Sequence, residues 1–247
     1  MKKLFGLAIL AILTIMSCGK DAEPGTVVIN FEHKVGDKTL ELDNMIYTSA
    51  AGHPFLVARL KYFVSNISLH NTDGTTYNAD VVHYYEEGKD ETKSLSLAKI
   101  PAGTYNKISF VYGLDETTNV DGGLENTQTN QNMEWPIPGD QGYHYMKLEG
   151  RYDSLATGVI KNFNLHTGAA QNVDYYIEHT LAFPTEIKID NNSWDIDLMM
   201  DLNEWLVNPT VYDFEDYGQM IMMNPTAQAV LKANGADVFS VDAVRQK

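Results

Sequence analysis

Along most of the chain, apolar and polar residues alternate with a period of two. Residues 26–35 place Val27, Ile29 and Phe31 on one face. Residues 60–70 carry Leu60, Tyr62 and Val64 on one face and then Ile67 and Leu69 on the other, a phase flip near Ser65-Asn66 that predicts a bulge. Similar runs cover 81–85, 94–98, 105–114, 143–152, 159–166, 175–183, 187–189 and 194–202. Side chains two apart share a face of a strand, so these runs predict strands with one face buried. Within 143–152, His144, Met146 and Leu148 fall opposite Tyr145, Lys147 and Glu149; within 159–166, Phe163 and Leu165 fall opposite Asn162, Asn164 and His166. Within 194–202, apolar residues alternate with Asp195, Asp197 and Asp201, which predicts a solvated acidic face. Turn residues separate the runs at Asp73-Gly74, Pro101-Ala102-Gly103, Asp121-Gly122-Gly123 and Asn191-Asn192.

About ten strands at this spacing predict an all-β fold, a single β-sandwich-like domain of mainly antiparallel strands. It spans 26–247, with no linker or internal repeat dividing it. A short C-terminal helix is predicted from Asn224 as its cap, Pro225 at its first position, good formers from Ala227 to Ala233, and Gly235 at its end. A helical turn is expected within 201–206. Residues 115–140 are polar and aperiodic, and a loop that long in a compact domain is usually functional or disordered.

The N-terminus reads differently. Met1-Lys2-Lys3 is basic, and residues 4–16 form an apolar run too short for the roughly 20 residues of a spanning helix. This is the pattern of a secretory leader. It ends Ile15-Met16-Ser17-Cys18-Gly19, which resembles a bacterial lipobox. Residues 1–17 are therefore expected to be a lipoprotein signal peptide, Cys18 an acylated N-terminus and 18–25 a polar tether. Gly19 is not a retention residue of the Asp type, so the expected location is the outer membrane of a Gram-negative envelope, on either face. Cys18 is the one cysteine, which leaves the domain without a disulfide, a thiolate metal site or a cysteine nucleophile.

With 18 Lys+Arg against 33 Asp+Glu, the net charge is −15, which disfavours nucleic acid as a partner. No nucleophile elbow, phosphate loop or H-E-x-x-H string is present, so an enzyme is not expected. The seven histidines share no i, i+2 or i, i+4 spacing, and a histidine site would have to be assembled across strands. His166 and His144 are the better candidates, at strand ends or faces beside aromatic, polar loops; His53 lies in a Gly52-His53-Pro54 turn. Met199-Met200 and Met220-Ile221-Met222-Met223 offer thioether sulfur suited to Cu(I), although core filling is the simpler reading. Asp115, Asn119 and Asp121 loosely suggest calcium, without the spacing of an EF-hand.

Several longer strings carry a resemblance. They are Val28-Ile29-Asn30-Phe31-Glu32-His33, Leu60-Lys61-Tyr62-Phe63-Val64-Ser65-Asn66-Ile67, Ile100-Pro101-Ala102-Gly103-Thr104-Tyr105 and Tyr112-Gly113-Leu114-Asp115 leading to Asn119. Then come Met133-Glu134-Trp135, Gly142-Tyr143 running to Lys147-Leu148-Glu149-Gly150, and Phe163-Asn164-Leu165-His166-Thr167-Gly168. Together they resemble the MbnP-like family of copper-associated exported proteins over nearly the whole mature chain. The resemblance implies a β-rich fold and copper held by histidines and an oxidised tryptophan. It also implies a partner, a di-haem cytochrome c peroxidase-like enzyme that turns that tryptophan into kynurenine. On this resemblance Trp135 matches the first tryptophan of a Trp-x-Trp segment and His166 the histidine of a His-x-Gly string; the copper ligands expected are His166, with His53 or His144, and modified Trp135. Two departures stand out: Ile137, between Pro136 and Pro138, replaces the second tryptophan, and Asp242-Ala243-Val244-Arg245 stands where a His-rich tail is often found. The expected protein is a lipid-anchored monomer in copper handling or serving the peroxidase. A surface adhesion or glycan-binding sandwich, using Tyr84-Tyr85 and the aromatics of 135–145, is the alternative.

Overall fold

The computed structural model describes residues 22–137 and 142–247, so the leader, Cys18 and Pro138 lie outside the described residues. The strands are β1 (Gly25–Val35), β2 (Lys38–Thr39), β3 (Tyr47–Thr48), β4 (Pro54–Asn71), β5 (Thr76–Asn78), β6 (His83–Glu86), β7 (Ser94–Ile100), β8 (Gly103–Tyr112), β9 (His144–Asp153), β10 (Ile160–Gly168), β11 (Ile177–Ile189), β12 (Ser193–Asp201) and β13 (Phe239–Gln246). Three helices, α1 (Gln128–Gln131), α2 (Phe214–Tyr217) and α3 (Pro225–Asn234), lie between them.

The strands form two sheets. One has the order β13-β12-β1-β2, with β7 also on β1; the other follows β10-β9-β4-β8-β11, with β3, β5 and β6 on β4. The second sheet is antiparallel in its ladders. In the first, β12 runs parallel to β1. The inward faces bury Val27, Ile29 and Phe31 of β1 and Ile196, Leu198 and Met200 of β12 in one cluster with Leu60, Tyr62, Ile108, Phe110, Leu148, Phe163 and Leu165 of the other sheet. The period-two pattern and the all-β sandwich it predicts are thus realised.

The phase flip in β4 is a register shift between Ser65 and Ser68, with Asn66 at φ 51°. Runs 175–183 and 187–189 join as one strand, β11, broken by a register shift between Ala182 and Ile187. α3 starts where the sequence places it, the Asn224 side chain accepting the Ala227 N–H at 3.1 Å. A 3₁₀ turn covers Glu204–Leu206. One expectation is corrected: the aspartates of β12 are not a simple wet face. The C-terminal residues form β13, which pairs with β12 and brings Arg245 onto the buried Asp197; Asn30 Nδ2 donates to the same carboxylate at 3.0 Å, and Lys247 pairs with Asp195 at 2.8 Å.

Candidate metal centre

β9 and β10 form a hairpin whose inner face, Met146, Leu148, Phe163 and Leu165, joins the core. On the outer face His166 pairs directly with Lys147, and Glu149 with Asn164. Strict alternation would send His144 to the inner face with Met146. It does not go there, because the register shifts at the end of the hairpin: Thr167 pairs with Met146, but Gly168 pairs with His144, leaving Tyr145 as an extra residue. A bulge of this kind re-aims the side chains beyond it. His144 therefore lies on the outer face beside His166, their rings 5.0 Å apart and nearly perpendicular at 87°. The bulged Tyr145 fills the space over Gly113, where a Cβ would stand 2.6 Å from its ring; Gly113, at φ 96°, has no Cβ to interfere.

The loop before β9 covers this face. Met133 accepts the His144 backbone N–H at 2.6 Å and Trp135 N–H donates to Gly142 at 2.8 Å. Trp135 is buried to 7% exposure, its ring 4.8 Å from that of His144. Its Nε1 is buried without a hydrogen-bond partner. Asn119 holds the loop's return, accepting the Tyr143 N–H at 2.8 Å and donating to the Tyr145 hydroxyl at 3.1 Å.

The partners of the two rings assign their tautomers. His144 Nδ1 lies 2.9 Å from the Met133 carbonyl, an acceptor, so Nδ1 carries the proton and Nε2 the lone pair. That Nε2 is buried and has no partner. Burial first, then the nearby Lys147, pushes the His144 pKa down to about 3, so the ring stays neutral. His166 Nε2 lies 2.9 Å from Glu149 Oε1. A carboxylate only accepts, so the neutral His166 ring has its lone pair at Nδ1. The hydrogen bond from His166, joined by Arg59 at 2.7 Å, holds the Glu149 carboxyl down at about 2. A carboxylate behind an imidazole is the arrangement that orients metal-ligating histidines.

The other candidates lie apart. His53 is wholly buried beside Tyr152, with Nε2 2.9 Å from Asp213 and Nδ1 accepting the Leu155 N–H at 3.0 Å, so both ring nitrogens are engaged. Tyr152 and His144 are eight positions apart on β9, roughly 26 Å at strand rise, so His53 is not brought to the site. The oxygens of the suggested calcium loop are taken up by protein donors: Asp115 accepts the Thr118 N–H at 2.9 Å and the Asn66 side-chain amide at 2.7 Å, Asp121 accepts the Gly142 N–H at 2.8 Å, and Asn119 that of Tyr143. No group of three or more His, Cys, Asp or Glu able to hold a metal occurs among the described residues. Any centre here must therefore use the two histidines with other donor types. Core filling describes Met200 but not Met220 or Met223, which are 67% and 62% exposed. The aromatics proposed for glycan stacking are mostly interior, with Tyr85, Trp135, Tyr143 and Tyr145 buried. Sequence reading missed Glu149 and Gly168 as parts of the site, although both sit inside the strings quoted above.

The MbnP profile matches residues 24–223. The chain belongs to the MbnP family. Its fold is similar to that of MbnP from Methylosinus trichosporium, at a TM-score of 0.52 and 11% identity over 90% of this chain and 98% of that one. That identity speaks to the fold alone. No match is found among curated proteins. In this MbnP family member, Ile137 packs against the cluster of Trp135, Tyr143 and Tyr145, and the C-terminal residues 242–245 are spent on β13.

Proposed function

We propose that this chain is an exported, lipid-anchored copper-binding protein without enzymatic activity of its own, whose ligands are His144, His166 and an oxidised Trp135. The observation that carries the reading is the buried, unpartnered Nε2 of His144, on a ring 5.0 Å from a second histidine held by a carboxylate. A buried polar atom without a partner costs about 1–3 kcal/mol and calls for an explanation, and a metal lone-pair acceptor supplies one. Imidazole suits copper. Indole is a poor ligand, so Trp135 would contribute only after oxidation to kynurenine, which offers an amine or carbonyl donor. Its Nε1 makes no hydrogen bond that ring opening would break. The oxidant in this reading is a di-haem cytochrome c peroxidase-like partner, and Cys18 anchors the protein to the outer membrane.

The test is a copper titration of protein purified from its native envelope and of recombinant protein made without the partner. The expected result is an oxidised Trp135 peptide and tighter copper binding in the native material, with His144→Ala and His166→Ala each weakening copper tenfold or more in both forms. Unmodified native Trp135 together with unaltered binding by both variants would overturn the reading.

A further inference from the structure

β10 ends the second sheet, and an irregular segment, 219–223, covers its outer edge. Asn164 N–H donates to the Gln219 carbonyl at 2.9 Å, and Asn164 bridges Met220. The wholly buried Gln228 of α3 donates from Nε2 to the carbonyls of His166 at 2.7 Å and Ile221 at 3.3 Å. One side chain thus ties the His166 backbone to the residue between Met220 and Met222. The outcome is a cavity of about 40 Å³ lined by Asn164, His166, Met220, Ile221 and Met222. A space of that size admits an ion and is far below the volume of a drug-sized ligand site.

Packing accounts in part for Met222 but not for Met220. Ile221 points into the core, whereas Met220 is 67% exposed and Met222 half-buried. Met222 also packs against the Trp135 cluster, so the cavity adjoins the His144 side of the site. Two thioethers and an imidazole nitrogen are a soft donor set, suited to Cu(I) and poorly suited to hard divalent ions. Glu149 occupies Nε2 of His166 and leaves Nδ1 as its one remaining donor, so the thioether site and the His144 centre share that atom and hold an ion alternately rather than together.

We propose that His166, Met220 and Met222 form a soft-metal site for Cu(I), a thioether lobe beside the His144–Trp135 centre. It rests on the copper reading above only for the identity of the physiological ion. The probe is Ag(I), a redox-silent ion of the same charge and softness, titrated into the full mature chain with unmodified Trp135. Cu(II) is titrated in parallel. Leu nearly conserves the volume of Met, so the paired substitution Met220→Leu with Met222→Leu keeps the fold. It is expected to weaken Ag(I) at least tenfold while leaving Cu(II) within about twofold. Met223→Leu, outside the cavity, is the control and should change neither. X-ray absorption of the Ag(I) form should show sulfur scatterers that the paired variant lacks. Wild-type affinity for Ag(I) in the paired variant, or a metal shell without sulfur, overturns the thioether site. If His144→Ala leaves Cu(II) unchanged while the paired variant loses Ag(I), the thioether site stands and the His144 centre falls.

Discussion

Gly168 lies against the indole of Trp135. A Cβ built on Gly168 would stand 2.5 Å from Cζ3 of that ring, closer than side-chain atoms pack. The glycine of the His166-Thr167-Gly168 string is therefore a space requirement, the tryptophan resting on bare backbone two residues beyond His166 and directly across from His144. Gly168→Ala should displace the indole and cost about 1–3 kcal/mol, the usual range for overpacking. Urea midpoints, with the change in Trp135 emission isolated by comparison to Trp135→Phe, would measure it. A midpoint and emission equal to wild type would show that the ring does not need this surface.

His53 and His144 are both buried histidines, but their substitutions should separate. His53→Ala removes the contacts to Asp213 and the Leu155 N–H and leaves a cavity by Tyr152 and Phe214. We expect a stability loss of about 2–4 kcal/mol with copper affinity retained in the folded fraction. Denaturant melts alongside copper titrations check this, and loss of copper binding at unchanged stability would return His53 to the ligand set.

Asn119 should behave as a structural clamp. Asn119→Ala removes the acceptor for the Tyr143 N–H and the donor to Tyr145, which together hold the strand end at the bulge. The expected cost is about 1–3 kcal/mol, with weaker copper binding because His144 loses its fixed position. Calcium in millimolar excess should leave the melting temperature unchanged; a clear rise would show the loop to be a calcium site after all.

Acid should destabilise the fold through histidines buried in their neutral form. Burial lowers the pKa of His33 to about 3 and that of His179 to about 4. Protons then bind the unfolded chain more readily than the folded one. The stabilisation is fully present above the unfolded value near 6.5 and is lost as pH falls towards 3–4. At pH 5 the difference is about 2 kcal/mol per histidine. His179 Nε2 has no partner, so His179→Leu should cost little at pH 7 and remove about 2 kcal/mol of the loss between pH 7 and pH 5. Identical pH dependence in variant and wild type would refute the assignment.

Cys18→Ser should move the protein from the envelope fraction to the soluble one. Unchanged membrane association in that variant would remove Cys18 as the anchor.

The sequence by itself determined the layers of this protein. Period-two alternation in 26–35, 105–114 and 194–202 reports which side chains must leave water, and β1, β8 and β12 bury those faces. The helix of residues 225–234 was legible because its cap, first-turn proline and terminal glycine act locally. Trp135 and His166 stand as candidates through the strings they sit in, and the fold places both beside His144. What local patterns cannot carry is pairing. The parallel contact of β12 with β1 and the use of the C-terminus as β13 depend on partners distant in sequence. The proposed centre turns on a single extra residue. Alternation assigns His144 to the face of Met146 and Leu148, opposite Glu149 and His166. The bulge at Tyr145, set by its register with β10 and by the room over Gly113, brings it across. A side-chain period of two makes one residue of slip a change of face, and the slip is decided between strands, where no single strand's pattern records it.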